Sequence, residues 1–252
     1  MRAAFTRGLA LTAVLLPACA IDDRELTVDD PRIPLLSNAQ GFVDGSNRAG
    51  ILGYWTYFVD TPGCTVAGYS LEQCSTLFDS TGGLVSIGGG LVHPDDLATG
   101  RICMSGVAAQ ARVNPTTMEP DFAAIWGAGI QLTFNDAANE VATSQTYDAP
   151  AHKITGFSFE TDSPPAVERV EFPGVGVPGA AVAYWGGKTG LYSVVRRGLN
   201  VIDLADVAPQ FASGYPPFDP RTILAIRFHV NAIADQATPF DYCIWNLSAR
   251  TE

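Results

Sequence analysis

The chain has 252 residues and carries 26 acidic against 15 basic side chains, a formal net charge of −11 that argues against a nucleic-acid partner. Hydrophobic residues make up 47% and charged residues only 16%, which excludes a disordered chain and points to a globular one with a sizeable core. The same acidity argues against docking on anionic lipid, so a membrane contact has to come from something other than surface charge.

In chain order, the first segment reads as an export signal. Arg2 and Arg7 stand before or beside a short apolar run at 9–16, far below the roughly 18 apolar residues that a membrane-spanning helix needs. Leu16-Pro17-Ala18-Cys19 follows and resembles the lipobox of bacterial lipoproteins. There, cleavage before a diacylglycerol-bearing cysteine leaves that cysteine as a lipidated N-terminus, which makes Cys19 the expected lipid acceptor. The other reading is ordinary secretion with cleavage after the small triplet Ala18-Cys19-Ala20, and both export the chain. Ala20 and Ile21 do not resemble the aspartate that commonly retains such lipoproteins at the inner membrane. The expected location is therefore the cell outer membrane, anchored through the lipid alone, with a secreted protein as the alternative. Residues 1–18 form the signal peptide, the acidic stretch 19–40 a flexible tether, and 41–252 a single domain, long enough for one core and short for two average ones.

Export permits disulfides. Setting Cys19 aside leaves Cys64, Cys74, Cys103 and Cys243, an even set without the C-x-x-C spacing of zinc or thiol redox sites. Four cysteines allow three pairings, and the sequence does not choose among them. Cys64 and Cys74 bracket a short polar loop and are the natural local pair, which leaves Cys103 to meet Cys243. The histidines His93, His152 and His229 lie far apart, with no metal-ligand spacing.

From the domain start onward the pattern is strands and turns. Runs rich in β-branched and aromatic residues occur at 54–59, 101–113, 125–134, 153–160, 167–172, 180–185, 191–195, 199–204, 222–230 and 240–247. Clusters such as Ser80-Thr81-Gly82-Gly83, Asn135-Asp136 and Pro216-Pro217 separate them. No stretch holds a 3.6-residue period long enough for a major helix, except a turn near 204–208. Many short strands at regular spacing predict an all-β antiparallel sandwich.

Several of these segments carry a resemblance. Ile154-Thr155-Gly156-Phe157-Ser158-Phe159, Val167-Glu168-Arg169-Val170-Glu171-Phe172-Pro173, Phe218-Asp219-Pro220, Ile226-Arg227-Phe228-His229-Val230 and Phe240-Asp241-Tyr242-Cys243-Ile244-Trp245-Asn246-Leu247 follow one another in the order of a galactose-binding-like jelly roll. With Gly53-Tyr54-Trp55-Thr56-Tyr57 and Trp126-Gly127-Ala128-Gly129, they resemble carbohydrate-binding modules of the family 11 type. That resemblance implies a non-catalytic domain whose partner is a polysaccharide or cell-surface glycan. Such domains often hold a structural calcium ion through an acidic start and a terminal aspartate pair. Here Trp245-Asn246 stands where that pair would be, so no cofactor is expected; Asp44 and Asn246 with backbone carbonyls are the ligands left for a weak site.

The two-residue period picks out the candidate binding residues. Leu224, Ile226, Phe228 and Val230 share one side of their strand and leave Arg227 and His229 on the other. Phe157 and Phe159 likewise oppose Ser158 and Glu160, and Val170 and Phe172 oppose Arg169 and Glu171. If these strands share the concave sheet, as the resemblance implies, then Ser158, Glu160, Arg169, Glu171, Arg227 and His229 line one surface. Sugar recognition needs such charged groups for vicinal hydroxyls beside an aromatic ring for the pyranose face, for which Tyr57 and Trp185 are the candidates. Tyr54, Trp55, Trp126 and Trp245 lie in apolar strand contexts that predict burial. The bland alternative is a solvated, salt-bridged sheet face in an envelope assembly or adhesion module without a sugar site. No hydrolase elbow, metalloprotease helix, phosphate loop or dinucleotide fingerprint occurs, and Glu160 with Glu171 is the sole carboxylate pair to weigh for glycoside hydrolysis. The expected protein is a monomer and not an enzyme.

Overall fold

The computed structural model describes residues 32–38, 40–85, 90–137, 145–166, 168–174, 189–192, 195–209 and 217–251. The signal peptide, Cys19 and most of the tether lie outside the described residues, as does the strand expected at 180–185 with Trp185. In chain order the strands are β1 (Arg32–Pro34), β2 (Phe42–Val43), β3 (Gly53–Val59), β4 (Thr76–Asp79), β5 (Gly90–Leu91), β6 (Arg101–Ala108) and β7 (Gly127–Thr133). They continue as β8 (Ile154–Thr161), β9 (Glu168–Phe172), β10 (Gly190–Tyr192), β11 (Gly198–Asp203), β12 (Ala208–Pro209), β13 (Ala225–Asn231) and β14 (Thr238–Thr251). Two single-turn helices, α1 (Thr61–Val66) and α2 (Pro94–Thr99), interrupt them. Both begin with a proline in the first turn, where its missing N–H costs no helical hydrogen bond.

Among the described residues the strands form two antiparallel sheets, one of six strands in the order β11-β8-β14-β6-β4 with β1 added against β14. The other has eight, in the order β12-β10-β9-β13-β7-β3-β2 with β5 added against β3. From β3 to β9 successive strands alternate between the sheets, the crossing habit of a jelly roll. The inner faces meet in one apolar core, where Phe159 of β8 stands edge-on to Phe228 of β13 at 4.8 Å and Phe157 lies 5.7 Å from Phe172 of β9. Burying each such ring stabilises the fold by roughly 2 to 3 kcal/mol.

β1 corrects the expected tether boundary. Arg32–Pro34 pairs with residues 248–250 of β14, and Ile33 and Leu35 are buried in the core, so the domain begins before residue 41. Acidic composition hid this, because only two apolar side chains in that segment carry the docking. Both disulfides are present. Cys64–Cys74 staples α1 to the short turn after it, and Cys103–Cys243 joins directly opposed residues of β6 and β14.

The core also holds a buried carboxyl group. Glu168 opens β9 on the inner face and is 2% exposed. Its carboxyl faces the Tyr242 hydroxyl, yet neither group makes a hydrogen bond of good geometry among the described residues. Burial is the main cause that pushes its pKa up from the ordinary 4.5 to about 8. The unfolded chain therefore releases a proton near pH 4.5 that the folded chain keeps until about pH 8, so stability must fall as pH rises between those values. Denaturant unfolding followed across this window should show that decline, on the order of a few kcal/mol, and Glu168→Gln should largely abolish it.

Candidate ligand-binding face

The outer face of the eight-stranded sheet gathers four of the expected residues. Alternation turns Val170 and Phe172 inward and Arg169 and Glu171 outward, while Phe228 and Val230 go inward and Arg227 and His229 outward. Register then brings them together. Arg227 stands opposite Glu171 on β9 and Gln131 on β7, and His229 stands opposite Arg169 and Gly129, with Gly129 in turn opposite Phe58 on β3.

Glu171 is the electrostatic centre of this face. At 1% exposure an unpaired carboxylate would be prohibitive, and burial by itself raises its pKa. The His229 imidazole, 2.9 Å away through Nδ1, reverses that, with Arg169 and Arg227 adding to it, so the carboxyl is held down at about 2. Arg169 Nε donates to the same Glu171 oxygen at 2.9 Å, and its side chain keeps 28% of its surface in solvent. Arg227 is 3% exposed; its Nε donates to Gln131 Oε1 at 2.7 Å and its guanidinium lies 5.2 Å from the Phe58 ring centre.

An aromatic pair adjoins this network. The half-buried Phe58 and Trp126 rings stack with centres 5.8 Å apart, and both meet His229 edge-on, at 5.3 and 5.7 Å. Two glycines make room for them. A Cβ on Gly129 would sit 2.8 Å from the Phe58 ring, and one on Gly127, whose φ of +122° already demands glycine, would crowd His229 Nε2 at 3.0 Å. Trp126 is also held through its backbone: its N–H donates to Asp60 Oδ2 at 3.0 Å, and its carbonyl accepts from Ala232 N–H at 3.0 Å and lies 3.0 Å from His229 Nε2.

Asp60 is fully buried at the end of β3. Its carboxylate accepts hydrogen bonds from Ser75 N–H, the Ser75 hydroxyl, Trp126 N–H and Gly127 N–H, all within 3.0 Å. Ser75 Oγ in turn accepts from Ala109 N–H, which ties the far ends of β4 and β6 to the same point. Burial raises the Asp60 pKa, and these hydrogen bonds oppose it.

The remaining expected residues are elsewhere. Tyr57 is no exposed platform: it faces the core at 3% exposure, with its hydroxyl donating to Asp96 and to the Cys103 carbonyl at 3.3 Å each. Ser158 and Glu160 do point outward from β8, but β8 belongs to the six-stranded sheet, so they share no surface with Arg169, Glu171, Arg227 and His229. Glu160 accepts from Asn246 Nδ2 at 2.8 Å beside a bulge in β14, and for the same reason Glu160 and Glu171 flank no common cleft. Trp185 lies outside the described residues. Trp55 is buried as expected, whereas Tyr54, Trp126 and Trp245 are half-buried on outer faces. Asp44 and Asn246 fall in opposite sheets' segments, and among the described residues no group of three or more His, Cys, Asp or Glu side chains is arranged to hold a metal ion. Sequence reasoning missed Phe58, Trp126, Gln131 and Asp60; the signal for them was Gly127 and Gly129, since paired glycines in a strand mark close approach by another group.

No family model and no curated protein matches the chain. Among solved structures, it is similar to the family 11 carbohydrate-binding module of the cellulosomal cellulase Lic26A-Cel5E of Clostridium thermocellum, at 13% identity and a TM-score of 0.42, over 71% of this chain and 82% of that one. A family 11 module from the same organism in complex with a β-1,3-1,4-mixed-linked tetrasaccharide is similar at 13% identity and a TM-score of 0.41, over 70% and 82%.

The Asp60 hub makes a prediction. Asp60→Ala leaves three backbone N–H groups and a hydroxyl buried without their acceptor, and should cost roughly 3 to 5 kcal/mol in denaturant unfolding. A cost under about 1 kcal/mol would show that the hub holds nothing.

Proposed function

We propose that this chain is a non-catalytic, monomeric glycan-binding module, anchored through a lipid on Cys19 at the outer membrane of a bacterial cell envelope. The observation that carries the binding part is the stacked, partly exposed Phe58–Trp126 pair joined through His229 and Glu171 to the partly exposed Arg169 side chain. A pyranose has an apolar face that stacks on an indole and vicinal hydroxyls that accept paired hydrogen bonds from a planar guanidinium. Arg169 suits the second task because the buried Glu171 carboxylate takes its Nε and fixes its plane. The stacking role assigned to Tyr57 thus passes to Trp126 and Phe58. The anchoring part rests on Arg2, Arg7, the apolar run at 9–16 and the lipobox-like Leu16 to Cys19.

Trp126→Ala should weaken binding to a recognised polysaccharide by about 1 to 3 kcal/mol in calorimetric titration, with a smaller effect on unfolding. Tyr57→Ala should do the opposite, losing roughly 3 to 5 kcal/mol of folding free energy because its ring is in the core. If the wild type binds nothing in a broad polysaccharide panel, an assembly or adhesion module takes the place of this reading. The anchor is tested separately: a fatty-acid analogue should label the wild type and leave Cys19→Ser unlabelled, and equal labelling of both would contradict lipidation.

A further inference from the structure

The open edge of a β-sheet presents unpaired backbone groups to any passing strand, and folded proteins blunt such edges by shortness, proline, bulges or a covering segment. Most edges here carry one of these devices. β2, β5 and β12 are two residues long, β12 ends on Pro209, and the three-residue β1 ends on Pro34. β4 is covered where the chain doubles back on it, with Val85 N–H donating to the Leu77 carbonyl and Asp79 N–H to that of Gly83. β11 is different. It runs six residues, Gly198–Asp203, in unbroken register with β8 on one side, and among the described residues no strand lies on its other side.

The side chains of β11 also suit a partner strand. Leu199 and Val201 point outward at 61% and 45% exposure, while Asn200 and Ile202 turn inward and are buried. Arg196 and Arg197 stand exposed before the strand, and Asp203 and Asp206 stand exposed at and after its end. A basic start, an apolar centre and an acidic end make this strand complementary to its own antiparallel image.

We propose that β11 is a docking edge for β11 of a second copy of this chain, the two strands pairing antiparallel about a two-fold axis at Asn200 and joining two six-stranded sheets into one. The two-residue period restricts the register. Directly opposed residues of an antiparallel pair share a face, so the axis passes through a residue; placed between Asn200 and Val201 it would set outward Leu199 against inward Ile202. With the axis at Asn200, Leu199 of one copy stands opposite Val201 of the other on the outer face, and the arginine end of each strand meets the aspartate end of its neighbour. Moved to Val201, the axis sets Leu199 against a carboxylate, and moved to Leu199 it sets Val201 against the arginine end.

The pairing leaves the free chain a monomer in dilute solution. Stable complexes bury roughly 800 Å² per partner, which a single strand edge does not reach, so copies pair where they are crowded together, as on a shared membrane. Because the axis is perpendicular to the joined sheet, both copies turn the face of Arg169 and Trp126 to the same side and can hold one polysaccharide at two points. That consequence alone rests on the glycan-binding reading.

The experiment uses the processed chain, residues 19–252 with Cys19→Ser, so that no lipid drives association. Sedimentation equilibrium should show monomer at about 10 μM and a growing dimer fraction toward about 1 mM. Val201→Lys, which places a charge at an exposed outward position, should weaken the dimer at least about tenfold, and Arg197→Glu should weaken it most at low salt. Under mild oxidation, Leu199→Cys copies mixed with Val201→Cys copies should link more readily than either variant alone, since only the mixture sets the two thiols directly opposite. A chain that stays monomeric to about 1 mM overturns the proposal, as does a dimer that Val201→Lys leaves intact or a mixture that links no better than its components. If copies pair and no polysaccharide binds, the glycan reading fails and the docking edge stands. If sugar binds a chain that never pairs, the docking edge fails alone.

Discussion

The outer face of the eight-stranded sheet depends on one buried ion pair. A carboxylate at 1% exposure survives folding only with partners at hydrogen-bond distance, and Glu171 finds them on the neighbouring strand in His229 and two residues back on its own strand in Arg169. The pair is possible because β9 and β13 are in antiparallel register with Arg227 opposite Glu171 and His229 opposite Arg169, so four alternating polar residues converge on one spot. A slip of either strand by one residue would turn its two members of this set into the apolar core.

That pair propagates outward by geometry. It orients the imidazole, the imidazole and the Ala232 N–H both meet the Trp126 carbonyl, Asp60 holds the Trp126 N–H, and the glycines at 127 and 129 leave the space in which Phe58 and Trp126 stack. A ring fixed before a ligand arrives loses little conformational freedom on binding, which is where small shallow sites otherwise forfeit affinity. The other outer face is organised differently. There Arg101 lies 4.3 Å over the Trp245 ring and bonds Asp162 at 2.6 Å, while Asn246 bonds Glu160, so the aromatic surface and the polar groups already satisfy one another.

Much of the fold was legible because alternation is a local property. Phe228 and Val230 in and Arg227 and His229 out follows from the two-residue period alone, and the same holds for β8 and β9. Sheet membership is not local: nothing in Ser158 or Glu160 says that β8 crosses to the other layer, and a set of six residues became a set of four. β3 failed for a different reason. In Tyr54-Trp55-Thr56-Tyr57-Phe58 both phases carry aromatic rings, so hydrophobicity cannot choose between them, and only pairing with β7 puts Tyr57 inside and Phe58 outside. Trp126 precedes its strand in an apolar run and was assigned to the core; its exposure is set by Asp60, which is 66 residues away in sequence.

The central claim is that ligand is taken on the face of Arg169, Glu171, Arg227 and His229 beside Trp126, and not on the opposite face. The most direct measurement is a magnetic-resonance titration with an oligosaccharide of a polysaccharide the domain binds, following the indole N–H of each tryptophan and the arginine Nε–H signals. The account predicts progressive shifts of Trp126 and Arg169 with Trp245 and Arg101 unmoved. Shifts confined to Trp245 and Arg101, or an unmoved Trp126 under saturating sugar, would contradict it.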